Sequence, residues 1–298
     1  MAKLKLGIIG LSEGNGHPYS WSAIINGFNK DLMMDCGFPA IPDYLGQQNF
    51  PKDQIKNAEV SHIYTQDINL SKKIARTTFI QKVCSDYKEM IGEIDGLLLA
   101  RDDANNHKKY AEPFLRAGIP IYIDKPMALS VDEANILFSM QKYEGQIFSC
   151  SALSYANELK INKNDFDKIG QLLSIKAKTP KDWDKYAIHL IDPIIRMPIT
   201  IDNLIKSNLN IKKNITRLEL INKEGIIILI QSDKESSGPI EINLHGINGD
   251  IKLTFIDSFN AFKSALEDFI DGILTNEVKT KKASILEAIS ILEMGRIK

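Results

Sequence analysis

Two short apolar runs, residues 94–100 (IDGLLLA) and residues 119–123, constrain the fold of this chain more than anything else in it. A nearly continuous apolar run of strand length reads as a strand buried on both faces, which is the setting of a parallel sheet covered by helices. Between them, residues 107–117 carry a helical pattern that stops at Gly118, a suitable C′ residue. The same alternation extends to both sides. Residues 4–9 form an apolar strand ending at Gly10. Residues 18–28 read as a helix with Pro18 in its first turn. Residues 60–65 read as a second strand, residues 70–75 begin a helix, residues 130–143 form another, and residues 146–153 close the series as a strand. Repeated strand–helix alternation predicts an α/β Rossmann-like doubly wound parallel sheet over residues 1–153. Residues 29–59 break the rhythm, with Gly37, Pro39, Pro42, Gly46 and Pro51 and few periodic apolar positions. They read as a long insertion, of the kind that forms lids or pocket walls.

The second half changes character. Residues 218–220, 226–231, 240–244 and 251–255 are short strand patterns, punctuated by Gly225, Gly238 and the hairpin pair Asn248-Gly249. Two amphipathic helices follow, with stripes at Phe262, Leu266, Phe269, Ile270 and Ile273 and at Ile285, Leu286, Ile289 and Leu292. Residues 154–298 therefore read as an α+β domain with a mainly antiparallel sheet. A net charge of −1 provides no general field for nucleic acid or a membrane surface. No apolar run approaches the ~20 residues of a membrane helix, and no signal peptide pattern precedes the first strand. Three cysteines without a CxxC pair argue for reduced thiols and a cytoplasmic setting, and against a zinc site. No metal spacing such as HExxH occurs.

The residues that could carry chemistry sit where the predicted strands end. Residues 121–123 run into Asp124-Lys125-Pro126, placing an amine at the carboxyl edge of a parallel sheet, where ligands bind in such folds. The first turn, Gly10-Leu11-Ser12-Glu13-Gly14-Asn15-Gly16, is rich enough in glycine to offer backbone N–H groups and a helix N-terminus to a phosphate. Its spacing departs from G-x-G-x-x-G, since Ser12 stands at the second glycine and the later glycines come late. Asp67 ends the second strand. It reads either as the acid that binds ribose hydroxyls and favours NAD over NADP, or as a helix N-cap. Arg101 reads either as a partner for an anionic substrate group or as one half of a local pair with an aspartate. His107 opens a helix directly after a strand and could face the ligand edge, while His17 lies in the glycine turn. In residues 182–192 (DWDKYAIHLID), His189 and Asp192 share a helix face, and a histidine there can take a hydroxyl proton or simply pack.

Taken in order, these marks resemble the glucose–fructose oxidoreductase / inositol dehydrogenase / MocA (Gfo/Idh/MocA) family. IDGLLLA, His107 and AGIPIYIDKP resemble its strand, helix and Glu-Lys-Pro segment, with Asp124 in place of the glutamate. KIG at residues 168–170 resembles the opening of its second domain, and residues 189–192 resemble its H-x-x-D. The resemblance implies hydride transfer between NAD or NADP and a hydroxyl or keto group of a sugar derivative. Lys125 would bind the reacting hydroxyl and His189 would move its proton. Asp184 and Lys185 would stand near the place of the family's acid. The cofactor would be held by Gly10, Leu11, Ser12, Gly14, Asn15, Gly16, Asp67, Arg101, His107, Asp124 and Lys125. The sugar would be held by Lys125, Arg101, Tyr155, His189 and Asp192. The resemblance also implies a homodimer or homotetramer formed through the second-domain sheet. Two other readings stay open. One is a catalytically silent regulator that binds a nucleotide or sugar; the other is an elimination or epimerisation that reduces and reoxidises NAD within one cycle.

Overall fold

The computed structural model describes residues 3–198 and 204–296, which divide into two compact units. The first comprises Met1–Ala128, Asp132–Cys150 and Phe262–Lys282. Its elements are β1 (Leu4–Ile9), α1 (His17–Asn26), α2 (Lys30–Met34), α3 (Ala40–Gly46), β2 (Ala58–Tyr64), α4 (Ile68–Thr78), β3 (Lys82–Val83), β4 (Gly96–Leu99), α5 (His107–Ala117), β5 (Ile121–Ile123), α6 (Val131–Ser139, within this unit from Asp132) and β6 (Ile147–Phe148). The six strands are parallel and ordered β3-β2-β1-β4-β5-β6. This is the doubly wound arrangement expected from the alternation. Its strand order reverses between β1 and β4, so the ligand crevice of such a sheet lies outside their carboxyl ends.

Two differences from the sequence reading have clear causes. Residues 29–59 are not a bare loop: α2 is capped by the Asn29 side chain, and Met33, Ile41, Leu45 and Ile55 are buried. These helices are too short for a 3.6-residue period to show. The insertion also packs against the glycine turn, since a Cβ on Gly16 would meet the Phe38 ring and Ile41 within 3 Å. The last strand is only Ile147–Phe148, and a turn capped by the Ser151 side chain follows it.

The second unit comprises Leu129–Val131, Ser151–Ala261 and Ala283–Lys298. It holds α7 (Lys163–Ile169), β7 (Leu172–Pro180), α8 (Trp183–Tyr186), α9 (Ile188–Ile195), β8 (Leu204–Lys212), β9 (Ile215–Asn222), β10 (Ile227–Asp233), β11 (Glu241–Gly246) and β12 (Gly249–Thr254). These strands form one sheet in the order β12-β11-β7-β10-β9-β8. Every neighbouring pair is antiparallel except β7 with β10. β11 and β12 join through a two-residue turn, Ile247-Asn248, and the glycine of the Asn-Gly pair opens β12 opposite Gly246. Neither β7 nor β8 was legible in the sequence. β8 is an edge strand whose lysines and asparagines blur the alternation.

The two closing helices, α10 (Ser258–Thr275) and α11 (Lys282–Met294), serve different cores. Phe269 and Ile273 of α10 lie over Gly96 of the parallel sheet, where a Cβ would meet Ile273 at 2.7 Å. Ala288, Ile291 and Leu292 of α11 join Ile175, Leu218, Ile228 and Ile242 in the second core. No helix among the described residues is long and apolar enough to cross a membrane.

Candidate active site on the parallel-sheet edge

The turns after β1, β4 and β5 meet at one edge of the parallel sheet, and side chains from each bind the others. Lys125 follows β5 and is buried, with Nζ 3.9 Å from Asp102 Oδ2. Asp102 follows β4 and accepts a 2.7 Å hydrogen bond from the Ser12 hydroxyl, while its own N–H donates to Ser12 Oγ. Asp124, immediately before Lys125, accepts from the Lys125 N–H (2.8 Å) and from the Asn15 amide (2.8 Å), and pairs with His17 Nδ1 at 2.6 Å. Burial pushes the Asp124 carboxyl up. The His17 charge and hydrogen bond, the Lys125 charge and Asn15 outweigh it and hold the group at about 2. Asp124 therefore stays ionised across the physiological range, and both Asp102, beside the Lys125 amine, and Asp124, on its backbone N–H, are tied to the first turn.

The first turn itself is anchored at several points. Gln66, at the end of β2, accepts from the Leu11 N–H and donates to the Leu11 carbonyl. Gly10 has no room for a side chain, since a Cβ there would lie 2.2 Å from the Pro18 ring. Gly10→Ala is expected to push α1 away from the turn and to cost about 1–3 kcal/mol, as overpacking does. A urea melt beside the wild type checks this.

The N-terminus of α1 does not match the expected phosphate seat. The His17 N–H donates to Asn15 Oδ1, Pro18 has no N–H, and the Tyr19 and Ser20 N–H groups go to the Gly16 carbonyl. The first-turn donors of the helix are thus already used. The loop before it is different. The N–H groups of Ser12, Gly14 and Gly16 have no acceptor among the described residues. Gly14 has φ +77°, and a Cβ there would meet nothing within 4 Å. These open loop amides suit the diphosphate of a dinucleotide, so the residues present fit such a cofactor through the loop instead of the helix end.

Arg101 settles between its two readings. Its guanidinium makes a bidentate pair with Asp103 (2.9 and 2.6 Å), donates to Gln66 Oε1 (3.0 Å) and lies over the Tyr110 ring. It is buried, so the pair is a fixed structural bolt and not an anion seat on the surface. Burial pushes Asp103 up, but its bonds to Arg101 and Asn106 leave it below the usual carboxylate range. His107 is fully buried, with its ring nitrogens on the Met127 and Arg101 carbonyls. It braces the Lys125-Pro126-Met127 segment from within and does not open towards a ligand. The Asp67 side chain accepts from the Asn69 N–H and caps α4.

The remaining candidates lie in the second unit. His189 is nearly buried on α9, with Nδ1 2.7 Å from Ser151 Oγ and its ring against Tyr186. Asp192 accepts from the Ser151 N–H. Burial raises its carboxyl above the ordinary value, against the lowering effect of Arg196, Ser151 and Ser154. Tyr155 lies under the Arg196 guanidinium. Asp184, expected near His189, instead accepts from Arg296 Nε at 3.0 Å. It sits on α8, five residues before the histidine, and at ~100° per residue that spacing turns it off the histidine's face. Lys185 follows it on α8, where its N–H caps onto Asp182. Among the described residues no cluster could hold a metal ion.

Residues 42–151 match the Gfo/Idh/MocA oxidoreductase family, described as having an NAD-binding Rossmann fold. A glucose-6-phosphate 3-dehydrogenase from Bacillus subtilis is 31% identical over 137 residues, which covers 43% of this chain and 37% of that protein. The chain thus spans little more than a third of that relative's length. Among solved structures, a myo-inositol 2-dehydrogenase from Lactobacillus plantarum superposes with a TM-score of 0.74 at 14% identity, covering 98% of this chain and 96% of that one. A myo-inositol dehydrogenase from Lactobacillus casei, in complex with NAD(H) and myo-inositol, gives 0.73 at 15% identity, covering 98% and 93%. At these identities the two structures establish the fold.

Proposed function

We propose that this chain, whose residues 42–151 carry the Gfo/Idh/MocA match, is an NAD(P)-dependent oxidoreductase acting on a hydroxyl or keto group of a sugar derivative. The observation that carries this reading is the buried Lys125, its amine 3.9 Å from Asp102, at the carboxyl edge of a parallel sheet beside the point where strand order reverses. Lys125 binds the reacting oxygen, and its charge stabilises the alkoxide that develops there. The Ser12, Gly14 and Gly16 amides receive the cofactor's diphosphate. A nicotinamide cofactor held there would supply the hydride acceptor or donor for the sugar carbon. Pairing of two copies through the second-unit sheet belongs to the same reading. Its support is the apolar surface left by Leu173, Ile205, Ile211 and Ile227 on the sheet's strands.

Fluorescence titration with NADH and NADPH tests the reading, followed by a panel including myo-inositol and glucose 6-phosphate with product analysis as well as absorbance. Tight NADH binding with turnover of a panel member supports it. No binding of either cofactor, with copurified nucleotide excluded, points to the silent sugar-binding regulator. Cofactor binding with isomerised product but no net NADH points to the internal redox cycle. Asp67→Ala sharpens the cofactor question. Loss of the α4 cap is expected to cost about 1 kcal/mol. A ribose contact would add a fall in NADH affinity relative to NADPH, whereas capping alone leaves that ratio unchanged.

A further inference from the structure

We infer that Asp102 is a positioning residue that holds the Lys125 amine in place, and that Ser12 of the glycine turn holds Asp102 in turn; the inference rests on the oxidoreductase reading above. The carboxylate divides its two oxygens between these partners. Oδ1 accepts the Ser12 hydroxyl at 2.7 Å, and Oδ2 lies 3.9 Å from Lys125 Nζ. The Asp102 N–H closes a ring by donating to Ser12 Oγ at 3.1 Å. Each side chain of the ion pair keeps only 7% of its surface exposed. Little water screens the pair, so the attraction at this separation is stronger than between two surface charges.

Both partners are fixed at their backbones. Arg101 and Asp103, on either side of Asp102, are paired with each other. The His107 ring stands between the Met127 and Arg101 carbonyls, at 2.9 and 2.7 Å, and fastens the turn after β4 to the segment that carries Lys125. The stem of Lys125 is what backbone contacts leave open. A lysine side chain is long and flexible, and its rotamer freedom is among the largest of any residue. A carboxylate on a rigid turn confines the ammonium to one part of that range. Placement matters steeply for a group that meets a reacting oxygen: a shift of about 1 Å can cost about 10²-fold in rate. Ser12 adds a connection to the cofactor. Its N–H is open to the diphosphate while its hydroxyl holds Asp102, so one residue joins the cofactor seat to the carboxylate beside the lysine.

The test uses the full chain with NAD and the panel member that the wild type turns over. Asp102→Asn keeps the size of the side chain and an acceptor for Ser12 but removes the charge. The expected result is a fall of about 10–100-fold in kcat with KM and NADH affinity close to wild type, the split left by losing placement in the transition state. Ser12→Ala keeps the charge and removes its tether, and is expected to lower kcat by less. Melting temperatures provide a readout that a purely structural role would not move. In the wild-type background, Asp102→Asn takes the charge from beside a buried amine, and the melting temperature falls. In Lys125→Met, the same substitution removes a buried carboxylate that has lost the amine's charge, and the melting temperature rises. An equal fall in both backgrounds overturns the inference, because a carboxylate that serves only packing is indifferent to the lysine. Wild-type kcat in Asp102→Asn, beside an inactive Lys125→Met, also overturns it and leaves the oxidoreductase reading standing. Where Asp102→Asn fails to fold, Ser12→Ala decides: a lower kcat at unchanged KM supports the inference, and wild-type kcat overturns it. Wild-type protein that binds NADH but turns over no sugar overturns both the inference and the reading.

Discussion

Lys125→Met is expected to lower kcat by at least about 10²–10³-fold while leaving the far-ultraviolet circular dichroism spectrum and NADH affinity close to wild type. That magnitude is the usual cost of losing one preorganised donor to a developing oxyanion. Met preserves the aliphatic stem and its burial, so the parallel sheet should keep its packing. The variant leaves Asp102 and Asp124 without the lysine's charge. Part of that loss is buffered, because Ser12 holds Asp102, and His17 and Asn15 hold Asp124. A variant with near wild-type turnover would remove Lys125 from the mechanism. Lys125→Arg should not restore activity, since a planar guanidinium presents its donors in a different geometry from a compact ammonium.

Asp124→Asn is expected to lower stability by about 2–4 kcal/mol. This is the range for a buried ion pair with one partner removed, reduced for the partial exposure of His17. Three donors converge on the carboxylate, from the Lys125 backbone, Asn15 and His17. An amide can satisfy fewer of them and would bring an NH2 group against other donors. The acid limb of stability provides a second readout. Asp124 is depressed from 3.8 to about 2 in the folded chain, so its contribution is complete above pH 4 and fades as pH falls towards 2. At 1.36 kcal/mol per pH unit, this contribution is about 2 kcal/mol. Urea melts at stepped pH should show that slope in the wild type and a flatter curve in Asp124→Asn. Identical slopes would mean that another carboxylate carries the acid limb.

Legibility in the sequence followed burial. β4 and β5 were readable because both faces are covered and the apolar run is unbroken. α5 ends at a glycine with φ +82°, and Gly118 announced it. β3 is two residues long and carries no period at all. Lys125 stood out because a strand, a charge and a proline adjoin in the chain. His17 did not. Its partner Asp124 is 107 positions away, and Ser12 and Asp102 are 90 apart. Those meetings depend on strand order, which brings the turns after β1, β4 and β5 together and leaves no mark in any local window. The first turn also misled in one respect. Its glycines suggested a helix end open to phosphate, yet Asn15 and Pro18 close that end.

The many tethers on residues 11–17 have a thermodynamic consequence. Leu11 is tied to Gln66, Ser12 to Asp102, and Asn15 and His17 to Asp124, with Phe38 and Ile41 of the insertion against Gly16. A glycine-rich segment this short would ordinarily surrender much of its conformational entropy at the moment a ligand arrives. Here that entropy is already lost when the chain folds, so a ligand meets a seat that needs little further ordering, and its affinity is not reduced by that cost. Stability and affinity are thereby fused in one segment: a substitution that loosens any tether raises the entropic cost of binding as it lowers the melting temperature, and the two quantities move together across variants of this turn.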